Sequence, residues 1–155
     1  MKINSILFVC MGNICRSPMA EGIMQKYLED AHLSDTIKID SAGCYNYHEG
    51  ELPDARMRQH ASARGYHLTH LSRPVTIGDF DSFDLIIGMD DNNISDLNRI
   101  APTPESQRKI KRMTDFCTNH TLDHVPDPYY GGATGFDLVI DLLEDACGGL
   151  LKSLK

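Results

Sequence analysis

ILFVCMGNICRSPMAEGIMQKYL, residues 6–28, changes its hydrophobic period midway. Residues 3–9 form a short apolar run rich in β-branched and aromatic side chains that ends at a glycine-containing loop, the pattern of a buried strand. Ala20, Ile23, Met24, Tyr27, Leu28 and Ala31 then recur at helical spacing. Ser17 is expected to cap that helix and Pro18 to occupy its first position. The result is strand, loop, amphipathic helix. Working outward, strands are expected at 37–40 and 84–89, with a helical pattern at 54–64 between them. Residues 90–100 read as a helix ended by Pro102 and Pro104, and 108–113 as a short last strand. A polar, turn-rich loop spans 117–135. The final helix places Phe136, Val139, Ile140, Leu143, Cys147 and Leu150 on one face. Alternation of this kind favours a parallel sheet covered by helices.

The chain has 155 residues, 41% hydrophobic and 24% charged, enough for one sizeable core and too few for two ordinary domains. We therefore expect a single α/β domain over 1–155. A net charge of -7 argues against a nucleic-acid surface, so any anion site must be local. No apolar run near the start is long enough to span a membrane, and no leader pattern is expected. Five cysteines at irregular spacing fit a reducing cytoplasm better than a disulfide scaffold.

The segment Cys10-Met11-Gly12-Asn13-Ile14-Cys15-Arg16-Ser17 lies between the first strand and first helix. A loop in that position can turn its backbone N–H groups toward one point, where the helix dipole adds positive character. Gly12 and Asn13 tolerate the left-handed backbone that such curling requires. The Gly-Lys-Ser/Thr ending of nucleotide-binding loops is missing, which weakens an ATPase or GTPase reading. Arg16 stands there instead, with a planar fork suited to two oxygens of a phosphoryl group. Cys10 would lie beneath the cradle, where amides, a helix N-terminus and a guanidinium all favour the nucleophilic thiolate. Ser17 could donate to that sulfur as well as cap the helix. Composition alone would produce Cys-x5-Arg-Ser in only about 2% of such chains. A zinc site on Cys10 and Cys15 lacks further ligands at a usual spacing, and Cys44, Cys117 and Cys147 read as ordinary semi-buried thiols.

With ILFVCMGNICRSPMAE at the start, SAG at 41–43, PDAR at 53–56, FDLIIGMDDNN at 83–93 and DPYYGG at 127–132, nearly the whole chain resembles the low-molecular-weight protein tyrosine phosphatases. The resemblance implies a four-stranded parallel sheet flanked by helices, with the phosphate loop between the first strand and first helix. It implies phosphotyrosine hydrolysis through a cysteinyl phosphate on Cys10, without metal or other cofactor, with Arg16 and the amides of 11–17 holding the phosphoryl group. Departure of the tyrosine oxygen needs a proton, and the resemblance assigns it to Asp127. Asp123, Asp90 and Asp91 are weaker candidates for that acid, the last two being equally readable as helix caps. Tyr47, Tyr129 and Tyr130 would wall the cleft over a floor of Met11 and Ile14. Asn13, Ser17, Ser41 and His70 match positions that brace the loop.

Two relatives of the same fold are disfavoured. An arsenate reductase would need further cysteines after the third strand, and 80–100 contains none. A phosphoarginine phosphatase tends to carry Thr where this chain has Ile14. The simultaneous presence of Cys10, Arg16, Ser17 and Asp127 argues against a non-catalytic phosphate-binding regulator. Cys15 lies close enough to Cys10 in sequence for a protective disulfide to be expected on oxidation. Cys44 follows Ser-Ala-Gly where relatives often have a small or hydroxyl residue, and Glu49 would add negative charge near the cleft mouth. The expected partner is a phosphotyrosine protein, a tyrosine kinase among the candidates, with the enzyme a monomer or weakly self-associating.

Overall fold

The computed structural model describes residues 2–130 and 133–155, the side chains of Tyr130 and Ala133 excepted. The chain runs β1 (Ser5–Cys10), α1 (Arg16–Asp30), β2 (Lys38–Gly43), α2 (Ala55–Ala63), α3 (Asp79–Ser82), β3 (Leu85–Gly88), α4 (Asp91–Ile100), α5 (Pro104–Arg108), β4 (Ile110–Arg112) and α6 (Ala133–Leu154). Short 3-10 turns at Met113–Phe116 and Pro128–Tyr130 lie between β4 and α6.

All strand pairs are parallel and the order is β2-β1-β3-β4. β1 is buried along its whole length, which its continuous apolar run requires of a central strand. Its pleat sends Ile6, Phe8 and Cys10 into a core shared with α1, α2 and α6, and Leu7 and Val9 into one shared with Phe80, Phe83 and Leu97. Helices thus cover both faces of one sheet, as the alternating sequence predicts. Because β2 and β3 flank β1 on opposite sides, successive connections diverge at the carboxyl end of β1, where a crevice opens in doubly wound sheets. Cys10 is the last residue of β1, paired in register with Gly43.

Three local readings differ from the structure. α1 begins at Arg16, and its N-cap residue Cys15 makes no side-chain capping bond, so Ser17 does not cap and Pro18 stands inside the first turn. The Ser17 hydroxyl is drawn instead toward Cys10 and Asn13. Pro104 does more than end a helix: capped by Thr103, whose Oγ1 accepts from the Ser106 N–H at 3.1 Å, it opens α5. That extra turn delays the last strand to Ile110 and leaves it only three residues long.

Candidate active site

The loop from Cys10 to Ser17 is tied to its surroundings mainly through backbone. Cys44 N–H donates to the Cys10 carbonyl at 2.9 Å, Tyr45 N–H to Met11 at 3.0 Å and Asp54 N–H to Ile14 at 2.8 Å. Ser72 Oγ donates to the Gly12 carbonyl at 3.0 Å. Gly43 lets the loop lie against β2, since a Cβ there would stand 2.9 Å from the Met11 carbonyl oxygen.

Asn13 makes the tight curl with φ of 58° and is fully buried. Its amide donates to Ser17 Oγ at 2.8 Å and Ser41 Oγ at 3.0 Å. Its carbonyl accepts the Arg73 N–H at 3.1 Å and meets His70 Nε2 at 3.0 Å. Since the Arg73 amide can only donate, the Asn13 oxygen is the acceptor, and His70 Nε2 must carry a hydrogen. The network continues through Ser41 Oγ, which donates to Glu21 at 2.6 Å. Burial raises the Glu21 carboxyl to about 7, against the opposing Ser41 bond. Asn13, Ser17, Ser41 and His70 therefore meet as the resemblance implies, joined by Glu21 and Arg73, which the sequence did not single out.

Cys10 Sγ lies at the base of the loop, 2% exposed as a residue, 3.0 Å from Ser17 Oγ and 3.4 Å from the Ser17 N–H that points at it. Arg16 Nη1 donates to Asp90 Oδ2 at 2.6 Å and to the Val125 carbonyl at 3.1 Å, while Nη2 lies 3.6 Å from Asp127 Oδ2. Desolvation works against its charge, but Cys10, Asp90 and Asp127 hold the guanidinium more firmly protonated. Asp90 caps a helix and also contacts Arg16. Its Oδ1 caps α4 by accepting the Asn93 N–H at 2.8 Å, and its Oδ2 aims Arg16. Asp91 pairs with Arg112, and Asp123, exposed, with its neighbour His124.

A cleft of ≈ 160 Å³ opens over the loop. Cys10, Arg16 and Asp127 line it, with Met11, Ile14, Tyr47 and Tyr129 as its apolar and aromatic walls. Tyr47, 72% exposed, stacks on Tyr45 with centroids 5.4 Å apart, so the outer wall is a paired aromatic plate. His48 also lines the cleft and packs 3.1 Å from where a Gly12 Cβ would stand, a contact no motif signalled. The expected wall contribution of the Tyr130 side chain lies outside the described residues, as do Gly131 and Gly132. Glu49 is exposed and does not line this cleft.

Cys15 is buried, and its thiol is pushed up first by desolvation and then by Asp54, Cys10 and Asp127, which keeps it neutral beside Cys10. Burial and nearby Asp96 push Cys44 up to about 12. All five cysteines are free. Among the described residues, the donor atoms that cluster within metal-ligating distance belong to Glu21, Asp40 and His70, not to Cys10 and Cys15.

The family model described as low molecular weight phosphotyrosine protein phosphatase matches residues 5–155. Among solved structures, protein tyrosine phosphatase from Entamoeba histolytica, crystallised with Hepes in its active site, superposes with a TM-score of 0.95 at 48% identity, covering 97% of this chain and 96% of its own. A low molecular weight protein-tyrosine-phosphatase of Streptomyces coelicolor is 39% identical over 153 residues, 97% of this chain and 93% of the relative. A low molecular weight phosphotyrosine protein phosphatase of Schizosaccharomyces pombe is 40% identical over 150 residues, 96% of each chain.

Proposed function

The chain belongs to the low molecular weight phosphotyrosine protein phosphatase family, metal-independent hydrolases that work through a cysteine, and from that premise we propose how its own residues divide the reaction. Cys10 is the nucleophile, Asp127 the general acid and base, and Arg16 with the loop amides the electrostatic clamp. The observation that carries this assignment is the single cleft in which Cys10 Sγ, the Arg16 fork and the Asp127 carboxyl converge.

In the first displacement the Cys10 sulfur attacks phosphorus in line. The P–O bond breaks with its electron pair on the tyrosine oxygen, which takes the Asp127 proton. In the second, Asp127 removes a proton from water, the water oxygen bonds to phosphorus and the S–P bond breaks, returning the sulfur. Arg16 and the amides face the equatorial oxygens, where charge concentrates as the phosphoryl group transfers. Ser17 Oγ, held by the Asn13 amide, keeps its own hydrogen available to the departing or attacking sulfur.

Depth and lining support a preference for phosphotyrosine. The sulfur lies at the base of a cleft lined by Tyr47, Tyr129, Met11 and Ile14, so a phenyl ring can carry its phosphate to the sulfur while a serine side chain is too short. The substrate is a phosphotyrosine protein, with tyrosine kinases among the candidates. Action as a monomer or weak self-associating species in the cytoplasm belongs to the same proposal, and five free cysteines support a reducing compartment. Among the described residues no helix is long and apolar enough to cross a membrane.

The test is hydrolysis of phosphotyrosine, phosphoserine and phosphoarginine without added metal by wild type, Cys10→Ser and Asp127→Ala. Selective phosphotyrosine turnover, abolished by Cys10→Ser and strongly slowed by Asp127→Ala, supports the assignment. Turnover that survives Cys10→Ser overturns it, and preference for phosphoarginine overturns the substrate class.

A further inference from the structure

We propose that Arg56 is a positioning residue for the general acid, a strut between Asp54 and Tyr129 that sets where the Asp127 carboxyl stands. The inference rests on the reading of Asp127 as the acid.

Arg56 sits in the first turn of α2 and reaches in two directions. Toward the phosphate loop it grips Asp54, with Nε 3.2 Å from Oδ1 and Nη2 3.2 Å from Oδ2. Asp54 is itself anchored: its backbone N–H donates to the Ile14 carbonyl at 2.8 Å, and its side chain caps α2 through the N–H groups of Arg56 and Met57. Toward the acid loop, Arg56 Nη2 donates to the Tyr129 carbonyl at 3.0 Å. Its guanidinium carbon lies 5.5 Å from the Tyr129 ring centroid and 4.9 Å from that of Phe136, at the start of α6.

One side chain therefore touches the backbone of Tyr129, two residues after Asp127, and the ring of Phe136 in α6. The Tyr129 N–H in turn donates to Asp127 Oδ1 at 3.0 Å, so fixing Tyr129 fixes one carboxylate oxygen and leaves Oδ2 toward Arg16. Arg suits the position because a planar fork grips a carboxylate edge-on while its face lies against rings; a lysine ammonium offers a point charge without that plane. Arg56 does not line the cleft, so it acts through Asp127 and not on the substrate.

Leaving-group dependence separates this role from general structural support. A phenoxide needs the acid's proton, whereas a dinitrophenoxide departs without it. Misplacing the acid should therefore slow only the poorer leaving groups. Arg56→Met, which keeps much of the stem packing, is expected to lower kcat/KM for phenyl phosphate and phosphotyrosine by about tenfold or more, while dinitrophenyl phosphate changes by less than about twofold. In an Asp127→Ala background the same substitution should add no further loss, because the group it positions is gone. Arg56→Lys should show the same pattern with smaller amplitude, a check should the Met variant fold poorly.

An equal loss across all three esters, or a loss that adds to that of Asp127→Ala, overturns the positioning role. If Asp127→Ala itself shows no steeper leaving-group dependence than wild type, the acid assignment fails first. If it does and Arg56→Met does not, only the strut is refuted.

Discussion

Asp90→Asn isolates the aiming of Arg16. The substitution retains an oxygen for the Asn93 N–H, which Asp90 Oδ1 accepts at 2.8 Å, and so keeps the cap of α4. It replaces the oxygen 2.6 Å from Arg16 Nη1 by an amide that has only hydrogens to offer a guanidinium. A hydrogen bond to a charged group contributes about 1.5–3 kcal/mol. The Val125 carbonyl at 3.1 Å still accepts from the same nitrogen, so about half of that loss to all of it should appear in the transition state. This corresponds to a fall in kcat/KM of roughly 4- to 150-fold. On the proposed role of Arg16, at the transferring phosphoryl oxygens and not the leaving group, the loss should be similar for phenyl and dinitrophenyl phosphate, unlike that expected from Arg56. Steady-state rates with both esters, alongside a thermal melt, supply the measurement. With the cap preserved the melting temperature should move little. A folded variant within about threefold of wild type would refute the idea that Asp90 aims Arg16, and a loss confined to phenyl phosphate would place Asp90 with the acid instead.

Neighbouring glycines in α6 should respond oppositely to alanine. A Cβ on Gly149 would overlap the Phe116 carbonyl oxygen, so Gly149→Ala must separate the 3-10 turn from the helix, at about 3 kcal/mol or more and a melting temperature lowered by roughly 6–12 °C. Gly148 has nothing within 4 Å of the same position, and Gly148→Ala should stabilise by about 0.5–1 kcal/mol; equal melting temperatures for the two variants would contradict the packing. Asp145 makes stability acid-sensitive. Desolvation opposes its charge, but the N–H groups of Thr118, His120 and Asn119 outweigh it and hold the carboxyl below the usual carboxylate range. A depressed carboxyl stabilises the fold above its unfolded value near about 4, and that contribution fades as pH falls through the folded value. Asp145→Asn should therefore cost about 1 kcal/mol at neutral pH, screened as the site is by solvent, and the difference from wild type should shrink in acid; denaturant melts at neutral pH and at low pH decide it.

Much of the site was legible because its chemistry is local in the chain. Cys10, Asn13, Arg16 and Ser17 fall within one loop, and the change from a strand to a helical period places that loop at the end of β1. Asp127 was reached through the motif that carries it, and Asp90, named from the sequence as a weaker acid candidate or helix cap, follows β3 at the same carboxyl end of the sheet. His48, Arg73 and Glu21 were not legible. They act through contacts with Gly12, Asn13 and Ser41 made across the fold, and nothing in their own neighbourhoods distinguishes them from surface polar residues.

Taken alone, the sequence determined the alternation of strands and helices, the one-domain α/β class and the identity of the phosphate loop, because periodicity and loop composition act over a few residues at a time. Tertiary structure decided what Ser17 does with its hydroxyl, which carboxylate bonds to Arg16 and how Arg56 links α2 to the Asp127 loop. A hydroxyl at a helix start can bond to its own backbone or to any acceptor brought near it. Only the packing of β1 beneath α1 places Cys10 Sγ 3.0 Å away and tips the choice.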